Sequence, residues 1–104
     1  MVYKCCQKGS AIQKNIKGLK KDFEVLNDEN RLRILCLLKE RKSLCVCEIY
    51  EALKLPQNLV SYHLGKLKEA GFVDSNKQGV NVIYSQGLKR IKKFQSGVNN
   101  LINK

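Results

Sequence analysis

Long apolar runs are missing from this chain of 104 residues. None approaches the roughly 20 residues of a membrane span, and the N-terminus carries no apolar signal core. The expectation is a cytoplasmic protein with no membrane partner. Histidine is nearly absent: His63 stands alone, so neither a Cys-His nor a Ser-His-acid arrangement can be assembled around it. There is no Gly-rich cofactor loop and no C-x-x-C redox spacing. These gaps weigh against an enzyme and against any organic cofactor. Internal repeats and low-complexity stretches are also missing, which leaves room for one compact domain and not two.

Acidic residues are scarce as well. Lysine and arginine number 20 against 9 aspartates and glutamates, a formal charge of +11. So basic a domain favours a polyanionic partner, because neutralising phosphates releases their condensed counterions. Cysteine is the exception to the pattern of absences. Five are present: the adjacent pair Cys5 and Cys6, a single Cys36, and a C-x-C at Cys45 and Cys47. In a reducing compartment such thiols serve as ligands, redox groups or buried apolar residues rather than structural disulfides.

Apolar periodicity organises the rest. Residues 1–9 lack it and read as a flexible arm, followed by one domain over 10–104. Ser10 caps a helix to about Asn27, whose Ile12, Ile16, Leu19, Phe23 and Leu26 form a stripe suited to a partner helix. Asn27 or Asp28 caps a second helix, Glu29 to about Glu40, rich in leucine and containing Cys36, read as a small buried residue. Ser43 is the N-cap expected for a short helix from about Leu44 to Leu53. After Lys54-Leu55-Pro56, a helix runs from about Gln57 to Ala70, and Gly71 stops it. Two strand-like segments, Phe72–Asn76 and Val80–Ser85, flank a Lys77-Gln78-Gly79 turn. Leu88, Ile91, Phe94, Val98 and Leu101 then line a last helix.

Four helices, a hairpin and a helix describe a mainly α fold with a small β-hairpin, a winged helix-turn-helix. The stripes on the first and last helices exceed what one small core needs, so a homodimer through them is expected. Within the helix-turn-helix, Val60, Leu64 and Leu67 face inward. Gln57, Asn58, Ser61, Tyr62 and Lys66 are then left outward, as donors and acceptors for base edges and phosphates. Lys77 in the wing adds a phosphate contact. His63 reads as a satisfied structural histidine, and Tyr84 as a residue packed on the core.

From Asn27 to Tyr84 the chain resembles the ArsR/SmtB family of metal-responsive repressors. The resemblance is carried by Asn27-Asp28-Glu29-Asn30-Arg31-Leu32-Arg33-Ile34-Leu35, by Ser43-Leu44-Cys45-Val46-Cys47-Glu48-Ile49, and by the stretch from Val60 to Val73. It implies a homodimer that holds double-stranded operator DNA when metal-free and leaves it when metal binds. It also implies that Cys45 and Cys47 are ligands. Residues two apart on an ideal helix point to nearly opposite sides, so both reach one ion only where the first turn is loose.

Two thiolates do not complete a site. Some arsenic sensors of the family carry a third cysteine where Tyr50 stands here. Cadmium and lead sensors add cysteines from the opposite subunit's arm, a place matched by Cys5 and Cys6. Zinc sensors use Asp and His on the last helix, but residues 86–104 contain no His, Asp, Glu or Cys. Soft thiolates suit cadmium, lead, zinc or trivalent arsenic as the inducing ion. The alternatives are a repressor of the same fold that responds to thiol oxidation, and a small thiol oxidoreductase using Cys45 and Cys47.

Overall fold

The computed structural model describes residues 11–102. The expected arm, residues 1–9 with Cys5 and Cys6, lies outside the described residues. The elements are α1 (Ala11–Leu26), α2 (Glu29–Arg41), β1 (Ser43–Cys45), α3 (Val46–Leu53), α4 (Gln57–Glu69), β2 (Val73–Gln78), β3 (Asn81–Gln86) and α5 (Leu88–Ile102). The winged helix-turn-helix order is as expected, with one strand more.

That extra strand corrects the expected helix start at Leu44. Ser43, Leu44 and Cys45 pair antiparallel with Ser85, Tyr84 and Ile83, making β3 the central strand of a three-stranded sheet. Extended backbone sends Leu44 inward, where it is buried opposite Tyr84. The helix therefore starts two residues later than expected, at Val46. On the other edge, β2 pairs with β3 up to Gln78 and Asn81. The hairpin turn is thus Gly79-Val80 rather than Lys77-Gln78-Gly79. Gly79 adopts φ 64°, a conformation glycine takes without a Cβ penalty.

The core lies where α2, α3 and α4 meet the sheet. Ile34, Leu38, Ile49, Val60, Leu64, Leu67, Phe72 and Val73 are almost wholly buried. Asp28 starts α2 by accepting the amides of Asn30 (2.8 Å) and Arg31 (3.2 Å). Lys54 takes the left-handed conformation that closes α3, and Arg33 Nη2 donates to the Leu53 carbonyl at 3.1 Å. These bonds fix the turn between α3 and α4 against α2.

The outer helices close on one another through Asn15, which donates to the Gly97 carbonyl, and through an ion pair of Arg90 with buried Asp22. Phe94 stacks edge-on between Phe23 (5.3 Å) and Phe72 (5.7 Å), joining α1 and α5 to the core. At the entry to α5, the Gly87 amide donates to the Phe72 carbonyl at 2.8 Å. A Cβ on Gly87 would stand 2.0 Å from the Gly71 carbonyl oxygen. Neither backbone can yield without losing that bond. Gly87→Ala is therefore expected to destabilise the fold by about 1–3 kcal/mol, seen as a lower urea midpoint at unchanged slope.

Much apolar surface is left uncovered on α1, α2 and α5. Phe23, Leu32, Leu101 and Ile102 are 47%, 51%, 48% and 76% exposed. A groove of about 800 Å³ runs between α1, α2 and α5, lined by Ile16, Phe23, Leu26, Leu32, Phe94 and Leu101. The radius of gyration, 16.3 Å, exceeds the roughly 13 Å of a compact domain this long. No helix among the described residues is long and apolar enough to cross a membrane.

Candidate metal centre and DNA-reading surface

The β1–α3 junction removes the geometric objection to Cys45 and Cys47 acting together. Cys45 is not a helical residue: it ends β1 and serves as N-cap of α3, with extended φ −80° and ψ 167°. Cys47 is the second residue of the helix. The opposition of residues two apart on a helix does not apply across that change of backbone, and Cys45 stands near enough to raise the Cys47 thiol. One sulfur belongs to a buried residue and the other to an exposed one.

Glu48 completes the junction. Its carboxylate accepts the Cys45 amide at 3.0 Å, in the reciprocal arrangement of a capping box. The Cys45 amide and thiol hold the Glu48 carboxyl below its ordinary range, and Arg41 adds to the effect. The Cys47 thiol is pushed up, first by its hydrogen bond to Cys45, then by loss of solvent and by charge repulsion from Cys45. Cys47 therefore gives up its proton less readily than an ordinary thiol. An ion that binds its sulfur must displace that proton.

Among the described residues, no three His, Cys, Asp or Glu side chains gather where they could hold a metal ion. Tyr50 is packed against the core. Cys45 and Cys47 by themselves thus make no complete metal site among the described residues. Cys36, expected to be buried, is exposed. Ile34 and Leu38 face the core, and Cys36, two residues from each, falls on the opposite side of α2.

The reading face is built on α4. Val60, His63, Leu64 and Leu67 are buried, while Gln57, Asn58, Ser61, Tyr62 and Lys66 are exposed. Lys77 is exposed on β2. The Tyr62 ring lies between two cations, Lys66 Nζ at 5.7 Å and Arg31 Cζ at 5.9 Å from its centre. Arg31 was not legible as part of this face, since it sits on α2 and meets Tyr62 only through the fold. Its guanidinium also donates to the Val25 carbonyl (3.0 Å) and to His63 Nδ1 (3.0 Å). His63, 5% exposed, is indeed a satisfied structural residue, with its Nε2 3.9 Å from Asp28.

Burial alone would raise the Asp28 carboxyl. The Arg31 amide, His63, the Asn30 amide and the Arg31 charge together hold it below its ordinary value. A carboxylate depressed in the fold stabilises it above the unfolded pKa, and that contribution fades as pH falls through the folded value. Asp28→Ala is accordingly expected to cost about 0.5–2 kcal/mol near neutrality. The gap from wild type should close in strong acid, as read by thermal unfolding across pH.

Comparison with known proteins agrees with this fold. The model of the bacterial regulatory protein, arsR family, matches residues 28–75. An uncharacterized HTH-type transcriptional regulator of Methanocaldococcus jannaschii is 43% identical over 72 residues, covering 69% of this chain and 81% of its own. A cadmium resistance transcriptional regulatory protein of Listeria innocua is 40% identical over 78 residues, 74% of this chain and 66% of its own. Among solved structures, HlyU from Vibrio cholerae superposes with a TM-score of 0.71 at 28% identity, covering 88% of this chain and 99% of its own.

Proposed function

Because the chain belongs to the ArsR/SmtB family of transcriptional regulators, which bind DNA and are not enzymes, we propose that it is a cytoplasmic homodimeric repressor released from its operator by a thiophilic ion. The inducer is cadmium, lead, zinc or trivalent arsenic, held by Cys45 and Cys47. Cys5 and Cys6 complete the thiolate set. Gln57, Asn58, Ser61, Tyr62 and Lys66 read the operator, and Lys77 touches its backbone. The observation that carries this reading is the placement of Cys45 as N-cap and Cys47 as second residue of α3, the helix that packs against α4.

That placement supplies the coupling. A soft ion would bring thiolate coordination, and the chain's part is to hold both sulfurs on the hinge between strand and helix. Drawing Cys45 and Cys47 together bears on the backbone at the N-cap, where the Glu48 contact now sets the start of α3. A changed start of α3 moves its packing on α4 and hence the separation of two reading helices in the dimer. The deciding experiment is fluorescence anisotropy of an operator duplex titrated separately with each of the four ions under reducing conditions. Duplex affinity unchanged by all four defeats metal sensing, and a response to peroxide alone gives the oxidation reading instead.

A further inference from the structure

We propose that the polar faces of α1 and α5 form a basic ridge that binds the phosphate backbone of duplex DNA, separate from the reading helix. The inference rests on the DNA-binding reading above and begins with where the charge lies. From Val46 to Gln86 the helix-turn-helix and wing hold four basic residues against four acidic ones, and Arg31 joins the reading face from α2. By contrast, α1 and α5 together hold eight basic residues and two acidic ones. Backbone affinity comes from neutralising phosphates, and a module so nearly balanced in charge supplies little of it.

Fold geometry gathers that charge. Lys14, Lys17 and Lys21 recur at helical spacing along one face of α1, and Lys89 and Lys93 do so on α5. All five are exposed. A shallow groove of about 220 Å³, lined by Lys14, Asn15, Gly18, Asp22, Arg90 and Lys93, joins the two faces. Its one carboxylate, Asp22, is buried and already taken by Arg90. Among the described residues, the five lysines make no ion pair. Their charge is therefore free for an outside anion.

Position favours DNA as that anion. The groove lies back to back with the apolar groove across the α1–α5 seam, since Leu19 and Phe94 line both. The ridge stays open when a second copy covers the apolar side. At its other end, Lys89 lines a cavity with Asp74 and Gln86 of the wing strands, so the ridge continues from the wing base.

The test compares two triple variants with equal charge loss: Lys14→Gln, Lys17→Gln, Lys93→Gln on the ridge, and Lys39→Gln, Arg41→Gln, Lys42→Gln at the end of α2. Affinity for a mixed-sequence 40-base-pair duplex is measured from low to moderate salt. Each phosphate contact contributes about 0.9 to the slope of log affinity against log salt. The ridge variant should lose about 2–3 from that slope, and the control less than 1. Equal losses in the two variants overturn the ridge while leaving duplex binding standing. Ridge-dependent binding to phosphatidylserine vesicles with an unchanged duplex slope also overturns it. A wild-type chain that binds no duplex overturns both this inference and the function on which it rests.

Discussion

Cadmium added to the protein–operator complex is expected to weaken duplex binding by about 5- to 150-fold, the range of a 1–3 kcal/mol coupling between sites. In the Cys45→Ser, Cys47→Ser double variant the response should vanish, while metal-free affinity stays within about twofold. The two halves of this expectation have separate grounds. Both sulfurs sit at the β1–α3 junction and neither is on the reading face, so serine removes the soft donors and leaves Gln57 to Lys66 in place. Serine at position 45 also keeps a side chain suited to an N-cap. Absorbance should show sulfur-to-metal charge transfer in wild type and none in the double variant. The pH dependence has a definite sign. The Cys47 thiol is held above its ordinary value by Cys45, so protons compete more strongly with the ion as pH falls. Cadmium affinity should rise with pH through neutrality and into the alkaline range, with proton release on binding. An operator response that survives loss of both cysteines would place the sensor elsewhere in the molecule.

What the residue pattern revealed, and what it hid, follows from the range of the forces involved. Helices α2 and α4 were legible because their apolar residues repeat at helical spacing over several turns, and Asp28, Pro56 and Gly71 mark their ends locally. The outward set on α4 followed from the inward one by simple rotation. The strand β1 was not legible. Three residues carry no periodicity, and Ser43 before an apolar run reads equally well as a cap. Only pairing with Ser85, Tyr84 and Ile83, some forty residues away, makes it a strand. The same long-range pairing turns Cys45 out of helical geometry. Cys36 shows the opposite failure. Its neighbours in sequence are leucines, but rotation along α2 places residue 36 opposite Ile34 and Leu38. Arg31 was hidden because its contacts with His63 and Tyr62 exist only after α2 and α4 pack together.

Phe23→Glu should abolish dimerisation without unfolding the chain, and its consequences reach both DNA and metal. The ring is half-exposed on the apolar groove and backed by Phe94, which itself rests on Phe72. Glutamate there can keep its carboxylate in water in an isolated protomer, so the core of α2, α3 and α4 is untouched. A second copy laid over Leu32, Leu101 and Ile102 would instead bury that charge without a partner, which costs far more than the lost apolar contact. Sedimentation should give a dimer for wild type and a monomer for the variant at the same micromolar concentration. Operator affinity should fall roughly 100-fold or more, because a lone protomer reads one half-site and forfeits its partner's phosphate contacts. A wild-type monomer, or a variant that still dimerises, would remove α1 and α5 as the interface. The monomeric variant then separates two ways of completing the thiolate set. If Cys5 and Cys6 reach Cys45 and Cys47 of the other subunit, the variant must lose tight cadmium binding together with DNA affinity. If they fold back onto their own chain, the variant loses DNA affinity and keeps the charge-transfer band at full strength. The first outcome makes the dimer interface itself part of the metal site.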